Sequence, residues 1–284
     1  MGDVLLLAVL VGLAVASITW QVRAGWFRLP GPDALPKSAR PVLVPVGMVA
    51  SMLLMGGFAA SLGQMVAGIP TPSAFVQTSP TLTQQAQAAA ITYALSIPLA
   101  LGLWVSFCRN PAGIKPAPVL STRRAVVLGL LTLLLWLPVV WAVGVLGQQV
   151  QIFIQGQGPP LLAHELLAQI VHGDAPLAWR LTLILAVVIG APIVEEVLFR
   201  GLLQTGLCRA LGSTWLGIGV SGVLFVLMHA GAIPRDGWIT AGATLVVLTL
   251  SLGMTFARTR SIAAPIALHA GFNAVSTAGA FLIT

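Results

Sequence analysis

The chain contains eight runs of about twenty apolar residues, near 4–20, 41–62, 88–107, 125–146, 181–200, 214–232, 238–257 and 261–284. A run of that length matches the roughly 30 Å hydrocarbon core of a bilayer when coiled as an α-helix. Only 7% of the 284 residues are charged and 57% are hydrophobic, with a mean hydropathy of +0.98. No soluble core needs that much apolar surface, so the expected fold is all-α, a polytopic transmembrane helix bundle of about eight spans. The net charge of +7 does not point to nucleic acid, because the arginines are scattered between apolar runs and no basic stripe interleaves with aromatics.

Those cations carry topological information instead. Arg23, Arg28, Lys37 and Arg40 follow the first run; Arg109, Lys115, Arg123 and Arg124 follow the third; Arg200 ends the fifth and Arg209 follows it; Arg258 and Arg260 follow the seventh. Every second loop is therefore basic, which leaves Arg180 and Arg235 alone on the other side. The positive-inside rule then places both termini outside the cytoplasm, in what reads as a bacterial plasma membrane. Asp3, Glu165, Asp174 and Asp236 fall on the outer side, and Trp20, Trp104, Trp141, Trp179, Trp215 and Trp238 fall near span ends. The first run is read as a helix and not a signal peptide, since Asp3 and no cation precedes it. Cys108 and Cys208 both map to the reducing side and have no metal-type spacing, so they read as passive thiols.

Two stretches look peripheral. Residues 63–87 are uncharged and rich in Pro, Ser, Thr and Gln, which predicts an outer loop. Residues 161–172 predict a helix lying along the outer interface. The His164-Glu165 pair there is not a zinc-protease motif, because the position four after His164 is Ala168.

Against this background, GAPIVEEVLFRG at 190–201 stands out, with two adjacent carboxylates and an arginine inside a span. A charged group at the centre of a span costs about 2.5–3.5 kcal/mol on insertion scales and is a functional candidate by default. Glu196 and Arg200 share a helix face at i, i+4, so they are expected to pair. Glu195 lies about 100° further round and needs another partner or a proton. Phe225 and His229 repeat the i, i+4 spacing on the next span, and Gly212 with Ser213 or Thr214 predicts a turn halfway between, which brings Glu195 and His229 level. His269 and Asn273 do the same on the last span. Pro192 and Pro265 precede the two outer clusters, and each is expected to free a backbone carbonyl that only a polar cavity can satisfy.

The three motifs, E-E-x-x-x-R, F-x-x-x-H and H-x-x-x-N in this order, resemble those of the CPBP or Abi family, which includes CAAX prenyl proteases and bacterial bacteriocin-processing or immunity proteins. The resemblance covers residues 176–284 as a catalytic core. Residues 1–175 become a variable amino-terminal region of about four helices plus an outer-face loop. It implies an intramembrane glutamic-type endopeptidase without a cofactor. In it Glu195 and His229 activate water, His269 and Asn273 stabilise the oxyanion, and Glu196, Arg200 and Phe225 support them. A zinc reading, with Glu195, His229 and His269 as ligands, is disfavoured by the poor ligand Asn273. The implied partners are the bilayer and a peptide or membrane-protein substrate, prenylated or bacteriocin-like, with no nucleic acid. Oligomeric state is not legible. A non-catalytic scaffold or immunity factor using the same cavity is the alternative, and a proton-coupled transporter is disfavoured because no inverted repeat is evident.

Overall fold

The computed structural model describes residues 2–34, 43–69, 80–108, 120–158, 169–171, 173–233 and 235–282. Its described residues form helices and turns, with no strand among them. Eight long helices follow one another: α1 (Gly2–Arg23), α2 (Leu43–Val66), α3 (Leu82–Cys108), α4 (Thr122–Gln155), α5 (Leu177–Ala210), α6 (Thr214–Met228), α7 (Trp238–Thr259) and α8 (Ala263–Leu282). The molecule is a helical bundle, as its hydropathy pattern requires.

The count of eight spans needs qualification by length and polarity. Among the described residues six segments, those built on α2 to α7, are long and apolar enough to cross a membrane. The apolar part of α1, Leu7–Arg23, is shorter. The 20-residue α8 is long enough but falls outside the six, since it carries His269, Asn273, Ser276 and Thr277 among its apolar residues.

Several boundaries also move. The region expected as an outer loop over 63–87 is partly helical, because α2 runs to Val66 and α3 starts at Leu82. A capping box starts α3: the Gln84 amide donates to Thr81 Oγ1 at 3.2 Å and the Thr81 amide to Gln84 Oε1 at 3.0 Å. Helix α4 has 34 residues and so spans about 50 Å, well beyond the bilayer core. Pro265 stands in the first turn of α8, where no intrahelical N–H is required, so it breaks nothing. The His164-Glu165 pair and most of the expected interfacial helix, 161–168 and 172, lie outside the described residues.

Helix α4 packs against α1, α7 and α8, α3 packs against α2 and α5, and α6 packs against α5 and α7. The turn between α5 and α6 is as its residues predict. Gly212 takes a left-handed φ of 63° and the Ser213 side chain caps α6 by accepting from the Leu216 amide at 3.3 Å. At that end of the bundle Arg258 ties α7 to the turn after α1. Its Nη1 donates to the carbonyls of Gly25, Trp26 and Arg28 at 2.9, 3.2 and 3.1 Å, and its guanidinium lies 4.7 Å from the Trp26 ring centroid. At the opposite end Gln151 of α4 donates to the Asp236 carbonyl and accepts from the Thr240 amide at 3.2 Å. Not every tryptophan sits at an interface: Trp104 turns inward, stacked on Phe107 with centroids 5.9 Å apart.

Candidate active site

Helix α5 is continuous across Pro192, which the sequence marks as a break. The chain passes it by widening into π-helical turns at Ala186–Gly190 and Val197–Gln204. In the first of these the Ala191 amide bonds five residues back to the Ala186 carbonyl. The next bond in that register would run from residue 192 to the Val187 carbonyl, and proline has no hydrogen to give. Asn273 of α8 supplies it, its Nδ2 donating to Val187 O at 2.9 Å. The carbonyl freed by Pro192 is thus satisfied by one of the expected site residues.

The second wide turn carries Arg200, which is 1% exposed, beside Glu196, which is fully buried. Arg200 Nη1 donates to Glu196 Oε1 at 3.0 Å, as the i, i+4 spacing predicts. The guanidinium also lies 4.5 Å from the Phe225 ring centroid, a desolvated cation–π contact of about 2 kcal/mol. Glu196 is not used up by this pairing. Its Oε1 also meets His269 Nδ1 at 2.8 Å, a contact between α5 and α8 that sequence spacing gave no means of finding.

His229 follows the last residue of α6. Its amide bonds three back, to Val226 O at 3.1 Å, which releases the Phe225 carbonyl to the ring Nδ1 at 2.8 Å. The imidazole lies against the Phe225 ring with centroids 4.4 Å apart. The helix therefore ends at Met228, short of the expected 232, and the histidine completes it.

Both imidazoles have Nδ1 engaged, and both turn Nε2 toward the same atom. His229 Nε2 and His269 Nε2 each lie 3.9 Å from Glu195 Oε2. That is too long for a hydrogen bond, and Oε2 is buried with no partner. With Nδ1 donating to a carbonyl or a carboxylate, each neutral ring presents a lone pair to Glu195. Glu195 and His229 are a quarter open, 24% and 25%, while His269 is 5% exposed. The open side of the cluster is therefore the Glu195–His229 side.

One contributor carries no motif. Tyr93 of α3, the chain's single tyrosine, lies against Gly190, where a Cβ would come within 2.9 Å of the ring.

The donor atoms of Glu195, His229 and His269 stand wider apart than a tetrahedral metal site would hold them. Bonds of about 2.1 Å at tetrahedral angles would bring the donor atoms to about 3.4 Å, nearer than the 3.9 Å here. Among the described residues no group of three or more His, Cys, Asp and Glu side chains is arranged to hold one.

Residues 177–275 match the family model of Rce1-like proteins, described as type II CAAX prenyl endopeptidase Rce1-like. This region is Rce1-like. The match takes in all three motifs, from Glu195 through Asn273, and agrees with the resemblance carried by those residues. It covers roughly a third of the chain and leaves α1 to α4 outside. No curated protein and no solved structure matches the chain. The long apolar helices make the chain an integral membrane protein, and its residues 177–275 are similar to CAAX prenyl endopeptidases of the Rce1-like kind.

Proposed function

We propose that the protein is an intramembrane endopeptidase of the glutamic type, in which Glu195 activates a water molecule for attack on a peptide carbonyl. The observation that carries this reading is Glu195 Oε2, buried and unpartnered, with an imidazole Nε2 at 3.9 Å on each of two sides. A gap of that size between polar atoms suits a bridging water. Glu195 accepts a proton as the water oxygen bonds to the carbonyl carbon, and the carbonyl π electrons move to oxygen. His269 in its protonated form and the second Asn273 amide hydrogen would stabilise that oxyanion, the first being committed to Val187. Breaking the C–N bond then returns a proton to the leaving amine from Glu195 or through His229.

The Glu196–Arg200 pair supports the reading from beneath. It fixes His269 through Nδ1 and sets a buried carboxylate against a buried guanidinium, so that neither is left unpaired. The substrate class that fits is a membrane-associated peptide or protein, prenylated or bacteriocin-like. The basic ends of α1, α5 and α7 would face the cytoplasm, with both termini outside.

The test is release of a fluorescent fragment from membrane-anchored peptides, prenylated and not, by purified protein. Cleavage that survives a chelator and disappears in Glu195→Ala is expected. Cleavage abolished by chelation and restored by zinc would replace this mechanism with a metal-dependent one, and full cellular function in Glu195→Ala would leave a non-catalytic scaffold.

A further inference from the structure

Helix α7 carries none of the motif residues, yet it holds the guanidinium on which the two histidines depend. Thr249 Oγ1 accepts from Arg200 Nη2 at 2.7 Å, the shorter of the two hydrogen bonds that Arg200 makes through its Nη atoms, and Thr249 is only 6% exposed. Its position is set from the far side by α6. A Cβ at Gly222 would come within 3.0 Å of Thr249 Cγ2, so the glycine makes room for the threonine methyl.

A guanidinium held through one nitrogen can swing about that contact. Held through Nη1 by Glu196 of α5 and through Nη2 by Thr249 of α7, it has one orientation in its plane. Two consequences reach the site. Glu196 Oε1, on which Nη1 rests, receives His269 Nδ1 at 2.8 Å. The Phe225 ring beneath the guanidinium belongs to the residue whose carbonyl takes His229 Nδ1.

We propose that Thr249 is a positioning residue of this site: its hydroxyl locks Arg200, and through Arg200 and Glu196 sets the direction in which His269 presents Nε2 to Glu195. Its catalytic consequence rests on the endopeptidase reading; its structural part does not. Thr249→Val keeps the shape and removes the acceptor, leaving a buried charged donor unpaired, whereas Thr249→Ser keeps the acceptor and loses only the methyl.

The experiment compares wild type, Thr249→Val and Thr249→Ser in two readouts. In peptide cleavage, Thr249→Val is expected to lower kcat about tenfold with KM within about twofold, the size of a lost charge-assisted hydrogen bond, and Thr249→Ser to stay within about threefold of wild type. In nitrogen-15 spectra of histidine-labelled protein, the His269 ring resonances are expected to move in Thr249→Val and to hold in Thr249→Ser. Unchanged His269 resonances in Thr249→Val, an equal kcat, or a serine variant as impaired as the valine one would overturn the proposal. Should Thr249→Val not accumulate, Thr249→Ala removes the same acceptor without added bulk. A wild type that cleaves no peptide, together with a Glu195→Ala variant that keeps full cellular function, would sink the endopeptidase reading, while the spectra still decide whether Thr249 orients His269.

Discussion

Glu195 and Glu196 are neighbours in sequence and opposite in what they support. Glu196 is fully buried and holds Arg200 and His269, so Glu196→Ala leaves a buried guanidinium without its counter-ion. A loss of about 3–5 kcal/mol is expected, visible as a lowered unfolding midpoint and poor accumulation in the membrane. The unpartnered Oε2 of Glu195 gives the fold no hydrogen bond. Glu195→Ala is expected to keep the unfolding midpoint of the wild type and to lower kcat/KM about 10²–10⁴-fold in the peptide-release assay. The sequence made the pairing of Glu196 with Arg200 legible, because one helix face carries both. It could not show that the same oxygen serves His269, since that depends on how α8 is set against α5, and no spacing along one chain segment encodes it.

At the level of the helix, Pro192 and Asn273 answer one another. The proline withholds a hydrogen from Val187 O and the asparagine delivers one from 86 residues away. Asn273→Ala is expected to cost about 1–3 kcal/mol by stranding that carbonyl. In a Pro192→Ala background the restored amide can take the carbonyl instead, so the asparagine substitution should cost less, and a double-mutant cycle by thermal unfolding reads the difference. Equal cost in both backgrounds would mean that the two residues act independently. The freed carbonyl was legible from Pro192 alone, and its partner was not. Pro265 shows the limit of the same rule, since a proline in a first turn frees nothing. The start of α3 was missed for a different reason. Its first turn is so rich in Gln and Thr that hydropathy reads it as loop, although Thr81 and Gln84 form a cap. Thr81→Ala is expected to lower stability by about 1 kcal/mol in the same measurement.

For the whole molecule, the cations give the clearest prediction. Arg258 binds three carbonyls of the turn after α1, so the basic ends of α1 and α7 lie together. Cys108, exposed at the end of α3, shares that side by the alternation of spans, while Cys208 is buried. A membrane-impermeant maleimide added outside intact cells should leave Cys108 unlabelled, and should label it once the cytoplasmic face is opened. Labelling in intact cells would invert the orientation. Hydropathy gave the bundle and its approximate spans, and three short motifs gave the residues that meet. The order in which helices neighbour one another came only with the structure.

The position of α4 reaches further than packing. It lies outside the Rce1-like stretch, yet α7 and α8 both rest on it, and α3, equally outside, lines α5 beside Glu195. The stretch that matches the family model therefore leans on helices outside it. Residues 177–282 expressed by themselves would lack the surfaces their helices lean on. A gene cut between α4 and α5 should regain cleavage only when both halves are made in one cell. The part with no shared motif packs on the rest through α3 and α4, so a swap of amino-terminal parts between relatives would have to bring the matching faces of α5, α7 and α8 with it.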